Sequence, residues 1–416
     1  MNPSRRDFFR ALGAAGVGAL AAPGRIAATP QPGRAEVLND RFPDLRRHFV
    51  FEYYPWYATN PYQHWDQYGR HPPVDLASNY MPRLGAYDSA DTRVIEQHAR
   101  WIADVGVGAV NLSWWGPGNI TDRNVPAIMD VMAAYDIHVT FHLEPYADDR
   151  WTNYARDVQY LLKEYGDRRN WDCMLLLQNA DGSVGPVFKS FGTILPPTGT
   201  DCHGVKFPVS GYAPDASWRR QTDLVRGNFR RDFDRVTLLA DSLDFDRTRA
   251  CGFDGIAIYD NYVKPDTYLG YATASSSRDL IFSFNVNSGF DVITDRDAVP
   301  GPCPSSAPRF EPGGASYDWS QPSDRERAAQ ASIERINEAF NATLAVQMSS
   351  TLSDAKHGFL LVYINSFNEW HEGHQFEPMK DSAALTADER AIGYHNPADG
   401  ASRLKRLGEL LDDLDL

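Results

Sequence analysis

The sequence predicts one α/β domain, a single parallel (β/α)8 TIM barrel with long decorating loops. Three observations carry this. Strand-like and helix-like apolar segments alternate from residue 46 to residue 416, no Pro/Ser-rich linker divides that span, and the strand-like segments alternate apolar with polar residues. A doubly wound open sheet is the alternative. Its nucleotide-binding form is weakened because no G-x-G-x-x-G or G-x-x-x-x-G-K-[ST] follows a candidate strand.

Taken in order, the chain begins with "SRRDFFRALGAAGVGALAAPGRIAA": paired Arg5 and Arg6, a mildly apolar Gly/Ala stretch, and small residues at Ala27 and Ala28. This pattern is that of a twin-arginine export signal over residues 1–28, followed by a linker at 29–45 and the barrel at 46–416. A periplasmic or extracellular location is therefore expected. Loss of residues 1–28 would take the formal charge from −14 to −17, leaving 37 basic against 54 acidic residues. So acidic a surface argues against nucleic acid and leaves neutral ligands unpenalised. No later run reaches the roughly 18–20 apolar residues of a membrane span, and a monomer is expected. Cys173, Cys202, Cys251 and Cys303 form no C-x-x-C pair, and their pairing stays open.

Residues 48–54, 108–115, 138–146, 173–178, 254–261, 280–287 and 358–367 read as strands. Helical stripes lie between several of them, such as Val94, Ile95, Trp101, Ile102 and Val105, or Ala329, Ile333, Ile336, Phe340 and Leu344. The Pro/Gly-rich pieces 192–217 and 296–322 read as loops. Side chains alternate along a strand. Val139, Phe141 and Leu143 therefore oppose Thr140, His142 and Glu144, while Val110, Leu112 and Trp114 oppose Asn111, Ser113 and Trp115. Likewise Phe282, Phe284 and Val286 oppose Ser283, Asn285 and Asn287. The apolar sets should pack under helices and the polar sets point into the barrel, toward the C-terminal mouth where such folds bind ligands.

The last strand runs straight into "NSFNEWHEGHQFEP", residues 365–378, with Glu369 and Glu372 three apart around Trp370 and His371. An E-x-x-E alone is common on helix surfaces. Its place at a barrel strand's end, with Glu144 of "HLEPY" at another, points instead to carboxylate chemistry of the glycosidase type. One group protonates the departing oxygen and the other takes a proton or supplies electrons. The competing metal reading uses His371 and His374, but there is no H-E-x-x-H and no partner cysteine pair, so no metal or other cofactor is expected. Tyr53, Tyr54, Trp56, Tyr57, Trp65, Trp114, Trp115, Tyr146 and Tyr259 stand at or after strand ends, where aromatic faces suit sugar rings.

These segments resemble glycoside hydrolase family 99, the endo-α-mannosidases and endo-α-1,2-mannanases. The matching pieces are "EYYPWYATNP", "HW", "GRHPP", "LGAYDSADTRVIEQH", "LSWWGPG", "FHLEPY", "GFDGIAIYDNY", "FSFNVNSGFD" and "SFNEWHEGHQFEP". The resemblance implies a metal-free barrel and retaining hydrolysis within an α-mannoside chain of an oligo- or polysaccharide. Glu372 matches the general acid/base, and Glu369 the carboxylate that acts on the 2-hydroxyl. Tyr54, Trp115, Glu144 and Tyr259 match sugar-contacting positions. His64, Trp65, Asn368, Trp370 and His371 lie in the same matched segments and join the candidate binding residues. Trp115 tilts the likeness toward mannanases. The departures are "GPVFKSFGTILPP", expected between the fourth and fifth strands, together with His374, Phe376 and Phe290, where the family has Thr, Ile and Tyr. A hydrolase or transglycosylase acting on another α-linked glycan, and a non-catalytic carbohydrate-binding barrel, are the other readings.

Overall fold

Strand residues buried on both faces, as in "FVFEY" and "HVTFHL", suit a sheet enclosed by helices on one side and filled on the other. In the computed structural model, which describes residues 33–297, 303, 310–311 and 316–416, such strands close into a ring. They are β1 (Phe49–Tyr53), β2 (Ala109–Trp114), β3 (His138–Leu143), β4 (Val184–Ser190), β5 (Thr237–Ala240), β6 (Gly255–Ala257), β7 in two pieces (Ile281–Ser283 and Val286–Asn287) and β8 (Val362–Asn365). All are joined in parallel. The first piece of β7 pairs with β6, the second pairs with β8, and β8 pairs with β1, so the barrel closes across a break at residues 284–285.

Each strand is followed by a helix: α1 (Thr92–Asp104), α2 (Ile120–Ala133), α3 (Tyr154–Leu161), α4 (Asp215–Phe229), α5 (Phe245–Ala250), α6 (Tyr268–Ser276), α7 (Pro322–Gln347) and α8 (Ser402–Asp412). Local chemistry sets their starts. Asp91 and Asn119 cap α1 and α2 through their side chains, and Pro322 occupies the first turn of α7. In α1 the buried positions Ile95, Ala99 and Ile102 fall on one face at helical spacing. The expected facing holds. Val110, Leu112, Trp114, Val139, Phe141, Leu143 and Val286 lie in the core between sheet and helices, and Phe282 and Phe284 lie in a neighbouring cluster with α6. Inside the barrel, Val50, Ala109, Val187, Leu239, Ala257, Ile281 and Leu361 plug the lower end.

Two expectations are corrected, and one strand is added. "CMLLLQ" is no barrel strand: Leu176–Gln178 is a short antiparallel appendage of β4. The fourth strand is "VGPVFKS", which the sequence reading leaves as connecting chain; its Gly, Pro and Lys hide the pattern, and Lys189 is fully buried because it finds an anion inside the barrel. The fifth strand, "TLLA", is too short to stand out between acidic neighbours. Within the segment 29–45 a helix spans Arg34–Arg41 and seats Leu38 in the core. The export signal, residues 1–28, lies outside the described residues. Among the described residues no helix is long and apolar enough to cross a membrane. Cys202 and Cys303 form a disulfide between the loops after β4 and β7, while Cys173 and Cys251 are buried thiols.

Candidate active site

The loop after β8 brings both glutamates to the barrel's C-terminal mouth. The Glu369 N–H donates to Ser366 Oγ at 2.8 Å, and its carboxylate Oε1 accepts the His371 N–H at 3.0 Å, with His371 Nδ1 3.3 Å away. Glu372 Oε2 accepts the Tyr259 hydroxyl at 2.5 Å and lies 2.7 Å from His374 Nε2. In these contacts the two carboxyls meet different partners. Gly373 sits between Glu372 and His374 at φ 69°, and a Cβ there would stand 2.3 Å from the Asp291 carbonyl oxygen. Only glycine fits that turn.

Strands on the other side of the mouth supply the remaining candidates. The Trp115 indole N–H donates to Ser113 Oγ at 3.1 Å, and the Ser113 hydroxyl donates to Glu144 Oε1 at 2.8 Å. These three residues are one hydrogen-bonded unit. Tyr259 is fixed by its backbone: its N–H donates to Asp241, and its carbonyl accepts from Asn285 and Asn365. Tyr54 packs beside Trp56 at a ring separation of 4.9 Å, and Trp56 lies 6.3 Å from Trp115.

Several predicted binding residues have their polar atoms committed inside the protein. Asn368 spans the Tyr54 backbone, accepting its N–H and donating to its carbonyl. Trp65 donates to the Tyr87 carbonyl, and Trp370 to Glu377. The His64 ring stacks on Trp56 at 4.5 Å, while its carbonyl accepts the His371 Nε2–H. Burial and the neighbouring His371 hold the His64 imidazole well below its usual range. These side chains shape the wall through others. Trp114 and Tyr53, which the sequence places among the sugar-facing aromatics, point outward instead: Trp114 bonds Asp122 and Tyr53 meets His98. Tyr146 bonds Asp157.

Sequence reasoning missed the supports. Glu377, fully buried, accepts from Tyr87, Trp370 and His98, and so ties α1 to the loop after β8. It stands in the quoted acidic stretch but reads there as one more surface charge. Asp260, beside Tyr259, is pushed up to about 7 by burial and by the charges of Asp241 and Glu372. Burial and the Glu369 charge push the Tyr57 phenol well up. His371 and His374, the residues of the metal reading, are each engaged with a glutamate. Among the described residues one Cys/His group comes within ligating reach, Cys202, His203 and Cys303, and there the two sulfurs are bonded to each other.

Residues 44–172 match the family described as Glycosyl hydrolase family 99. The chain is 27% identical to rat glycoprotein endo-alpha-1,2-mannosidase, an alignment covering 89% of this chain and 76% of the rat protein. It is 26% identical to the human glycoprotein endo-alpha-1,2-mannosidase-like protein, over 81% and 70% of the two chains. In structure it resembles the family 99 endo-alpha-mannosidase of Bacteroides thetaiotaomicron, with a TM-score of 0.59 at 20% identity over 88% of this chain and 97% of that one.

Proposed function

We propose, on the premise that this chain is a family-99-like glycoside hydrolase, that it cleaves α-mannoside linkages inside a mannan or related glycan with retention of configuration. The observation that carries this is the separate anchoring of Glu369 and Glu372 at the mouth. In an α-mannoside the C1 leaving oxygen and the C2 hydroxyl are axial and anti to each other. Glu369 takes the O2 proton as O2 displaces the leaving group at C1, and Glu372 protonates the departing oxygen. A 1,2-anhydro sugar results. Water then attacks C1 and gives a proton to Glu372, while O2 regains its proton from Glu369. Two inversions leave the configuration unchanged, and no protein atom becomes bonded to the sugar.

Glu144, Trp115, Tyr54 and Tyr259 are the residues we assign to sugar contact, with Asn368, Trp370, Trp65, His64 and His371 behind them. The test is digestion of a panel of α-mannans and α-glucans by the protein and its Glu372→Gln variant, with product anomers followed by NMR. Retained-anomer oligosaccharides from α-mannan with the parent alone are expected. Cleavage of α-glucan only would reassign the substrate. A 2-deoxy substrate cleaved at the normal rate, or an adduct on Glu369, would sink the anhydro-sugar route.

We further propose export by the twin-arginine route, acting as a monomer outside the cytoplasm. Arg5 and Arg6 in their context support this, as does the Cys202–Cys303 disulfide, a bond kept in oxidising compartments. Replacing both arginines with lysine should leave the protein in the cytoplasm; unchanged export refutes the route.

A further inference from the structure

One layer below the mouth, the barrel encloses an ion pair. Glu52 of β1, Asn111 of β2, His142 of β3 and Lys189 of β4 all point inward and are fully buried. Register sets Asn111 beside Glu52 and Lys189 beside His142. The Glu52 carboxylate accepts Lys189 Nζ at 2.6 Å and Asn111 Nδ2 at 3.0 Å, and lies 3.0 Å from His142 Nδ1. Burial pushes the Glu52 carboxyl up, but the His142 and Lys189 charges hold it well below its ordinary value, so it stays ionised beside the ammonium.

A buried ion pair is weak evidence for stability: apolar side chains of similar volume often hold a fold as well, because two ions must be stripped of water. The lower interior layer of this barrel is built that way. What distinguishes Lys189 is the surface above it. Its Nζ lies 4.5 Å from the centre of the Tyr363 ring and 5.5 Å from that of Tyr259, both within cation–π reach. The Tyr259 backbone is pinned at N–H and carbonyl, so the remaining freedom is rotation of its side chain. That is limited by Phe191 at 5.6 Å, His142 at 5.9 Å, His374 at 6.0 Å and the Lys189 cation beneath.

We propose that Lys189, held by Glu52, is a positioning residue for the reaction: it seats the Tyr259 ring so that the phenol stays on Glu372. The proposal rests on Glu372 as the group that protonates the leaving oxygen. The Tyr259 hydroxyl fixes the rotation of the Glu372 carboxyl together with His374, and a tilted Tyr259 ring would take away one of those two contacts.

The test is a mutant cycle on α-mannan with the parent, Glu52→Gln/Lys189→Met, Tyr259→Phe and the triple variant. Changing the pair together leaves neither the Glu52 carboxylate nor the Lys189 ammonium buried without its counter-ion. The pair variant should fold and lose about tenfold in kcat with KM nearly unchanged, and the triple should be no slower than Tyr259→Phe, because both changes act through one contact. Losses that multiply, a loss confined to KM, or parental kcat in the pair variant overturns the proposal. If the pair variant does not fold, Lys189→Arg enters the same cycle: a loss shared with Tyr259→Phe supports the proposal, and an independent loss or none refutes it. Should the parent cleave no α-mannoside, the proposed function fails instead. The positioning claim is then read from the 13C resonance of the Tyr259 phenol carbon, which must move in the pair variant and refutes the claim if it does not.

Discussion

The Tyr259 hydroxyl donates to Glu372 Oε2 at 2.5 Å, linking the end of β6 to the loop that follows β8. The contact crosses the mouth of the barrel between residues 113 positions apart, and it aims the carboxyl assigned to leaving-group protonation. A hydrogen bond to a charged group contributes about 1.5–3 kcal/mol. Tyr259→Phe should therefore lower kcat about 10- to 100-fold, far more than a fall of a few degrees in the thermal midpoint would account for. Steady-state kinetics beside a melting curve checks this; a variant equally active refutes the aiming role.

The two glutamates should respond differently to the leaving group. An aryl α-mannoside with an acidic phenol needs little protonation on departure, so Glu372→Gln should lose far less on it than the 10²–10⁴-fold expected on mannan. Glu369→Gln removes the activation of O2, which every substrate needs, and should lose heavily on both. Equal losses for the two variants on both substrates would reject the division of labour.

Gly373→Ala tests the turn between Glu372 and His374. The left-handed backbone and the 2.3 Å approach to the Asp291 carbonyl oxygen leave no room for a methyl group. We expect at least about 2 kcal/mol of destabilisation, and a fall in kcat at temperatures where the variant is still folded. Chemical denaturation gives the first and initial rates the second.

Asp260 provides a pH signature. Its carboxyl is raised from 3.8 to about 7, so between those values the folded protein holds a proton that the unfolded chain has released. Stability must then fall as pH rises through that window. Asp260→Asn removes the term, so its thermal midpoint should match the parent near pH 4 and exceed it above pH 7. A midpoint difference that stays constant with pH would contradict this.

Much of the barrel was legible along the chain, because burial on a strand writes a period of two and burial on a helix a period near 3.6. "HVTFHL" and "VNLSWW" showed which residues would face the helices, and the quoted stretch at 365–378 showed where the carboxylates would gather. The elements that escaped were those whose burial depends on a distant partner. "VGPVFKS" contains a lysine that no local rule would bury, and only Glu52, 137 positions earlier, makes it a core residue. The candidate site divided along the same line. Residue type and spacing singled out Glu369, Glu372, Glu144 and Trp115. Hydrogen bonding then turned Trp65, Trp370 and Asn368 into supports, and turned Trp114 and Tyr53 away from the mouth. Periodicity and motif are properties of neighbouring residues and survive in a one-dimensional reading. The pairing of Lys189 with Glu52, of Tyr259 with Glu372 and of Glu377 with His98 came only with closure of the barrel, because a buried charge or donor is set by whatever the fold brings to it.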